Sequence, residues 1–217
     1  MQRQLIIGNQ NYSSWSLRAW LALRKSGVDF ETVKIRLSVP DTHERILRYS
    51  PAGRVPVLHD GEVVLWDSLA ICEYLAENYA PSLWPADKAA RALARSVSAE
   101  MHSGFAALRE ALPMNCRATG REVVPTAEVQ RDIARILAVW DDCRRRFGAA
   151  GGWLFGDFSI ADAMYAPVVF RFATYGVAVA EIGRGYMTHV LNDEDVREWQ
   201  ASATAEPDRI DEEEVGF

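Results

Sequence analysis

Cysteine is scarce in this sequence and widely spaced. The three cysteines, Cys72, Cys116 and Cys143, are odd in number and far apart along the chain. Secreted domains that depend on disulfides use closely spaced cysteines in even numbers, so we expect reduced thiols and a cytoplasmic protein. The four histidines show no metal-ligand spacing with one another or with the cysteines, so we expect no metal site.

Long apolar runs and an excess of positive charge are also missing. No segment approaches the roughly 20 apolar residues of a membrane-spanning helix. The first residues show no basic region followed by an apolar run, so we expect no signal peptide. The formal net charge of -6 gives no general attraction to nucleic acid or to anionic membranes. We therefore expect neither nucleic acid nor a membrane as a partner.

The first part of the 217-residue chain alternates strand patterns with helical patterns. An apolar run ends at Gly8, and a helical pattern extends from Ser16 to Lys25, with Gly27 placed as its C-cap. Alternating apolar and charged residues predict a strand over 33–37, and residues 41–50 predict a short helix.

Two strands and a helix complete this first part. Asp60-Gly61 lies between two apolar runs and predicts a β-hairpin, and Asp67-Ser68 opens the helix that follows. The predicted element order is therefore β-α-β-α-β-β-α. These elements predict an α/β domain over residues 1–80.

Only helical patterns follow the Pro-punctuated connection at residues 80–85, which is a candidate domain boundary. We predict an all-helical domain over residues 86–217, with helices near 87–112, 126–147, from 159 onward and 193–203. The third of these opens with Ser159 and Asp162, which fit a short capping box, and Pro167 lies inside it. The acidic segment from Glu206 onward is expected to be a solvated end.

The stretch YSSWSLR, residues 12–18, places three serines around Trp15 at the start of the first helix. Serine hydroxyls in that place can cap backbone N–H groups. They can also donate hydrogen bonds to a ligand held at the helix start. These residues alone leave both interpretations open.

Four motifs, taken together in this order and spacing, resemble those of the glutathione S-transferase family. They are SSWSLR, SPAGRVPVL, WDSLAICEYL and FSIADAMYAP, spread over residues 12–167. The first is most similar to the zeta-class pattern Ser-Ser-Cys-Ser, with Trp15 in place of the cysteine. The resemblance implies a thioredoxin-like glutathione-binding domain followed by an all-helical domain that contributes the acceptor site. It also implies a homodimer with glutathione as co-substrate.

The resemblance implies a role for the paired serines. A free thiol with a pKa near 8.5 is only about 3% ionised at pH 7, so glutathione transfer requires a site that stabilises the thiolate. By position in the family motif, Ser13 is the expected donor to the thiolate. Ser14 is the alternative donor and is otherwise expected to cap the helix.

Two further pairs are implied to bind glutathione. The family has a cis peptide bond at the position of Val55-Pro56, which lets the Val55 backbone pair with the cysteinyl residue of glutathione. The Ser68 hydroxyl is expected to hold the γ-glutamyl carboxylate, and the Asp67 carboxylate its amino group. Asp67 can at the same time be the N-cap of its helix.

The acceptor substrate is expected in a cleft between the two domains, close to Trp15. Met101, Phe105 and Arg109 recur every four residues, which predicts one stripe of a single helix, although Met and Phe also suit a core. Cationic groups at His102 and Arg109 would favour anionic or carbonyl substrates.

The function predicted from these motifs is glutathione-dependent transfer or cis-trans isomerisation, in which a serine hydroxyl stabilises the thiolate. A member of the same fold that binds glutathione or a partner without catalysis is the alternative. A glutathione-dependent reductase would require a cysteine at position 13 or 14, where this chain has serines.

Overall fold

The computed structural model describes residues 3–216. Within that range the four strands are β1 (Gln4–Ile7), β2 (Glu31–Lys34), β3 (Val57–Asp60) and β4 (Val63–Trp66). The nine α-helices of the described chain are α1 (Ser14–Ser26), α2 (Thr42–Leu47), α3 (Ser68–Asn78), α4 (Lys88–Ser103), α5 (Ala106–Ala111), α6 (Ala127–Phe147), α7 (Ile160–Thr174), α8 (Glu181–Asn192) and α9 (Glu194–Ala205). None of these helices combines the length and the apolar character needed to cross a bilayer.

The strands form one mixed sheet in the order β2-β1-β3-β4. β1 pairs parallel with β2 through the crossover helix α1, while β3 pairs antiparallel with both β1 and β4. Gly61, at a φ of 63°, turns the chain between β3 and β4 as the Asp-Gly signal predicts. The predicted order β-α-β-α-β-β-α and the thioredoxin-like fold class are confirmed.

Helix α1 joins the sheet to the helical part of the chain. It packs against α3, and it also contacts α7 and α9. A second, small core of Ile6, Ile35, Ile46 and Val57 forms between the sheet and α2. The start of α1 is therefore held from the sheet side and from the helical side at once.

The capping box at the start of α7 is present as predicted. Asp162 accepts hydrogen bonds from the Ser159 N–H at 2.9 Å, the Ser159 hydroxyl at 3.0 Å and the Leu154 N–H at 3.0 Å. Burial raises the pKa of Asp162 to about 6, although these hydrogen bonds oppose that shift. Pro167 lies inside α7.

The single helix predicted over residues 87–112 is wrong. α4 ends at Ser103, and Phe105 adopts a left-handed backbone conformation with a φ of 60° before α5 begins. Gly104 is the signal that the helical pattern concealed, because glycine commonly ends helices. A Cβ at Gly104 would lie only 2.8 Å from the Glu100 carbonyl oxygen, so this bend accepts no larger residue without a shift.

α8 did not emerge from the sequence pattern. It contains two glycines, which lower helix propensity by about 1 kcal/mol each. Gly183 lies where a Cβ would approach Val179 Cγ1 at 2.4 Å and Trp140 at 3.7 Å. Gly183 therefore makes room for Val179, which precedes α8. Tyr186 of α8 packs on Trp140 of α6 with the ring centroids 5.0 Å apart, and such tertiary contacts support a helix that local propensity disfavours.

The acidic C-terminal segment is not simply a solvated end. Glu214 is 6% exposed and accepts a hydrogen bond from the Tyr12 hydroxyl at 2.6 Å. Glu206 accepts from the backbone N–H groups of Gln10 at 2.9 Å and Asn11 at 3.1 Å. The segment therefore supports the loop that leads into α1. Phe217 lies outside the described residues.

Candidate active site

Two adjoining cavities meet at Trp15. The first, called the Ser68 cavity, measures about 630 Å³ and is lined by residues that include Trp15, Val55, Pro56, Asp67, Ser68 and His102. The second, called the Ser13 cavity, measures about 480 Å³ and is lined by residues that include Ser13, Ser14, Trp15, Val55, Arg109 and Arg171. Nine of the eleven side chains predicted from the sequence therefore come together around these cavities.

Ser13, rather than Ser14, is the N-cap of α1. The Ser16 N–H donates to Ser13 Oγ at 3.4 Å, and the hydroxyls of Ser13 and Ser16 lie 2.7 Å apart. The expectation that Ser14 caps this helix is wrong, because Ser14 is already the first helical residue. The Ser14 hydroxyl has no hydrogen bond to any residue between 3 and 216, and both serines line the Ser13 cavity.

The Val55-Pro56 peptide bond is cis, as the resemblance implied. Val55 lines both cavities. Across the described chain, no hydrogen bond involves the backbone N–H or C=O of Val55. One donor and one acceptor are therefore available side by side at the boundary between the cavities.

Asp67 is the N-cap of α3, as predicted. Its Oδ1 accepts from the N–H groups of Leu69 at 2.9 Å and Ala70 at 3.1 Å, and its Oδ2 lies 3.0 Å from His102 Nε2. The Asp67 φ of 76° is uncommon for a residue with a side chain. Such conformations occur often at ligand sites, where surrounding contacts hold them in place.

Ser68 is the first residue of α3 and lines the Ser68 cavity. It is 1% exposed, and its hydroxyl has no hydrogen-bond partner in the part of the chain that the structure describes. An unsatisfied buried hydroxyl costs about 1–3 kcal/mol. The cavity therefore offers a polar ligand atom a donor that the fold itself leaves unused.

His102 lies in the last turn of α4 and connects the two parts of the chain through Asp67. Burial lowers the pKa of His102 below its ordinary value, and this outweighs the opposing influence of Asp67. His102 is therefore neutral at pH 7, with Nε2 donating to Asp67. His102 therefore does not contribute the positive charge to this wall that the sequence predicted.

Trp15 forms the wall between the cavities and is surrounded by positive charge. The Cζ atoms of Arg18 and Arg109 lie 4.3 Å and 5.3 Å from the centroid of its ring. The His102 ring meets Trp15 edge-on, with the centroids 5.3 Å apart. These contacts give the ring a defined position, since cations are attracted to the faces of aromatic rings.

Sequence reasoning missed two buried arginines near this wall. Arg18 is 1% exposed, and its Nε and Nη1 have no hydrogen-bond partner among residues 3–216. Arg171 is 5% exposed and donates to the carbonyl oxygens of Leu112 at 2.5 Å and Arg109 at 3.2 Å. The available signal in the sequence was an arginine flanked by apolar residues, Arg18 in α1 and Arg171 in α7.

Burial, reinforced by repulsion from Arg171 and Arg109, lowers the pKa of Arg18 to about 9. Burial, opposed by Glu213 and reinforced by Arg109, lowers the pKa of Arg171 to about 10. Both values lie well above 7, so both side chains are charged at neutral pH. The Ser13 cavity therefore has a positive electrostatic environment.

Met101 and Phe105 line neither cavity. Met101 is 1% exposed and Phe105 is 8% exposed, and both belong to the main hydrophobic core. Their spacing from Arg109 does not place the three on one stripe, because the helix ends at Ser103. Of the predicted acceptor residues, Trp15, His102 and Arg109 reach the cavities.

A thioredoxin-like sheet followed by helices, with a cavity at the start of α1, defines the class of protein. Residues 12–78 match the glutathione S-transferase N-terminal domain, and residues 125–201 match the glutathione S-transferase C-terminal domain. A zeta-class glutathione S-transferase from Euphorbia esula is 32% identical over 163 residues, which cover 72% of this chain and 71% of that protein. The chain belongs to the glutathione S-transferase family.

Within that family, the predicted likeness to the zeta class is confirmed. Glutathione S-transferase Z1 of Arabidopsis thaliana is 40% identical over 83 residues, which cover 37% of this chain and 38% of that protein. Together with the Euphorbia esula protein, it is a zeta-type relative of this chain.

Solved structures agree on the fold. A glutathione transferase homolog from Burkholderia gl BGR1, with bound glutathione, has a TM-score of 0.71 at 27% identity and covers 95% of this chain and 100% of its own. Unclassified glutathione S-transferase 2 from Bombyx mori has a TM-score of 0.74 at 20% identity, covering 94% of each chain. At 20% identity, the Bombyx mori structure shows a shared fold only.

Proposed function

We propose that this protein is a glutathione-dependent transferase that binds the γ-glutamyl end of glutathione in the Ser68 cavity and its thiol at the Ser13 cavity. The observation that carries the proposal is the unpartnered, buried hydroxyl of Ser68 at the N-terminus of α3. A carboxylate suits this place, because the helix N-terminus adds backbone N–H groups and a positive dipole end. The bound Burkholderia structure supports the choice of glutathione.

The neighbouring groups fit the remainder of glutathione. The Asp67 carboxylate faces the same cavity and supplies a negative charge for the α-ammonium group. Asp is one methylene shorter than the family's usual Glu or Gln, so a water is expected between Asp67 and the ammonium. The free N–H and C=O of Val55 can pair with the cysteinyl backbone. The tripeptide then extends from α3 to the start of α1.

The start of α1 supplies the groups that stabilise a thiolate. Lowering the thiol pKa from about 8.5 by about two units requires roughly 2.7 kcal/mol of preferential stabilisation of the charged form. One hydrogen bond to a charged group contributes about 1.5–3 kcal/mol, and the helix dipole adds a further part. Ser13 is our proposed donor, and Ser14 is the alternative.

The positive environment of the Ser13 cavity favours an acceptor substrate with a carboxylate. Arg54, Arg109 and Arg171 line this cavity, and Glu213 is the acidic residue that faces them. One carboxylate compensates only one of the three arginines, so the cavity keeps an excess of positive charge. An anionic electrophile would complete the charge balance beside the thiolate.

Glutathione titration of the wild-type protein tests the proposed function. The ultraviolet thiolate absorbance of the complex should give a thiol pKa about two units below 8.5. An electrophile that carries a carboxylate should react with a lower KM as the free acid than as its methyl ester. Arg109→Gln should reduce this preference. An unshifted thiol pKa would instead support a non-catalytic binding protein. Absence of glutathione binding would exclude the transferase and leave only a protein that binds another partner.

We also propose that residues 1–80 and 86–217 act as the glutathione-binding and acceptor domains of a homodimer. Support for self-association comes from edge strand β4, where Val63, Val64 and Trp66 are 41%, 39% and 47% exposed. Sedimentation equilibrium should give twice the chain mass of 24.3 kDa. The mass of a single chain would contradict the dimer.

The three free, buried cysteines support a cytoplasmic location.

A further inference from the structure

Ser16 links the end of β1 to the hydroxyl of Ser13. The Gly8 N–H donates to Ser16 Oγ at 3.1 Å, and Ser16 Oγ lies 2.7 Å from Ser13 Oγ. Ser16 is 0% exposed, so it cannot contact a ligand directly. A hydrogen-bonded chain therefore extends from the sheet, through Ser16, to the residue that lines the Ser13 cavity.

Burial decides which hydroxyl donates and which accepts in this hydrogen-bonded chain. If Ser13 donated to Ser16, the Ser16 proton would have no acceptor among residues 3–216 and would be buried unsatisfied. If Ser16 donates to Ser13, each proton finds a partner, because the Ser13 hydroxyl can turn toward the cavity. The favoured order is thus Gly8 N–H to Ser16 Oγ, then Ser16 O–H to Ser13 Oγ.

We propose that Ser16 is a positioning residue, which keeps the oxygen of Ser13 as an acceptor and directs the proton of Ser13 toward the bound thiol. This inference rests on the proposed glutathione transfer. It also explains how Ser13 can cap α1 and serve the ligand at the same time. Capping uses the lone pairs of Ser13 Oγ, whereas the thiolate uses its hydrogen.

The series of hydrogen bonds from Gly8 through Ser16 also makes Ser13 a better donor than an isolated hydroxyl. Hydrogen bonds in series polarise one another, so a hydroxyl that accepts a bond donates a stronger one. Ser13 accepts from both the N–H and the O–H of Ser16, whereas Ser14 Oγ accepts from no described residue. The geometry therefore distinguishes the two adjacent serines.

Thiolate titration of glutathione complexes tests this role. Ser16→Ala should raise the pKa of bound glutathione by about half a unit, because Ser13 remains but its proton loses its orientation. Ser16→Thr keeps the hydroxyl and should restore the wild-type value. In a Ser13→Ala background, Ser16→Ala should produce no further rise, because Ser16 acts only through Ser13.

Ser98→Ala is the matched control. Ser98 is also 0% exposed and lines neither cavity, so removal of its hydroxyl should leave the thiol pKa unchanged. Ser16→Cys serves if Ser16→Ala does not fold. It has a similar shape and a weaker donor, and should give a smaller rise than half a unit.

The outcomes separate this role from the proposed function. Suppose that the thiol pKa is lowered in the wild type and rises in Ser13→Ala. If it is then unchanged in Ser16→Ala and Ser16→Cys, the role of Ser16 alone is overturned. A rise in Ser16→Ala that persists undiminished in the Ser13→Ala background would also overturn it. An unshifted thiol pKa in the wild type would overturn both proposals.

Discussion

Ser68→Ala should weaken glutathione affinity by roughly 1.5–3 kcal/mol, or about 10- to 150-fold. The Ser68 hydroxyl is buried, lacks a partner and lies at the N-terminus of α3, where the γ-glutamyl carboxylate is proposed to bind. Its removal takes one hydrogen bond from the bound carboxylate. Isothermal titration calorimetry on both proteins measures the difference.

Thermal melts of the ligand-free proteins provide a second signature for Ser68. An unsatisfied buried hydroxyl destabilises the free protein, so Ser68→Ala should melt at the same temperature as the wild type or higher. Ser98→Ala removes another buried, unpartnered hydroxyl and should leave glutathione affinity unchanged. Equal affinities of the wild type and Ser68→Ala would remove Ser68 from the site.

Ser13→Ala should raise the pKa of bound glutathione by about one unit or more, since one charge-assisted hydrogen bond contributes about 1.5–3 kcal/mol. Turnover at neutral pH should fall because less thiol is ionised. It should partly recover as the pH rises through the new pKa. Ser14→Ala should leave the titration unchanged. Thiolate absorbance against pH, with initial rates, measures both variants.

The N-cap role of Ser13 calls for a variant that separates capping from donation. Ser13→Ala should also cost about 1 kcal/mol of stability, because alanine cannot cap α1. Ser13→Gly preserves the helix start to within a few tenths of a kcal/mol but has no hydroxyl, so it should show the same rise in thiol pKa. A shift in Ser14→Ala and none in Ser13→Ala would reverse the two roles.

Signals that depend on near neighbours were predicted correctly from the sequence. Gly27 adopts the left-handed C-cap conformation with a φ of 72°, and Asp67 caps α3 by accepting from the backbone N–H groups of Leu69 and Ala70. The Asp-Gly hairpin and the capping box of α7 are further examples. Each depends on only a few consecutive residues, so it could be recognised without knowledge of the distant contacts.

Elements that depend on packing were not predictable in the same way. The break between α4 and α5 places Met101 and Phe105 in the core, although their spacing suited one helical stripe. α8 forms despite two glycines because it packs on α6, where Tyr186 meets Trp140, and because Gly183 makes room for Val179. The cap of α1 is Ser13 rather than Ser14, a difference of one residue that the pattern could not resolve.

The sequence by itself determined the family, the order of the elements, and the polar residues at the starts of α1 and α3. These follow from local motifs in a fixed order. Only the tertiary structure brought Arg18 of α1 and Arg171 of α7 to the same region, left Ser68 Oγ without a partner, and aligned Gly8, Ser16 and Ser13. The physical reason is that burial and hydrogen-bond direction depend on which distant elements pack together, and here α1 packs between α3 and α7.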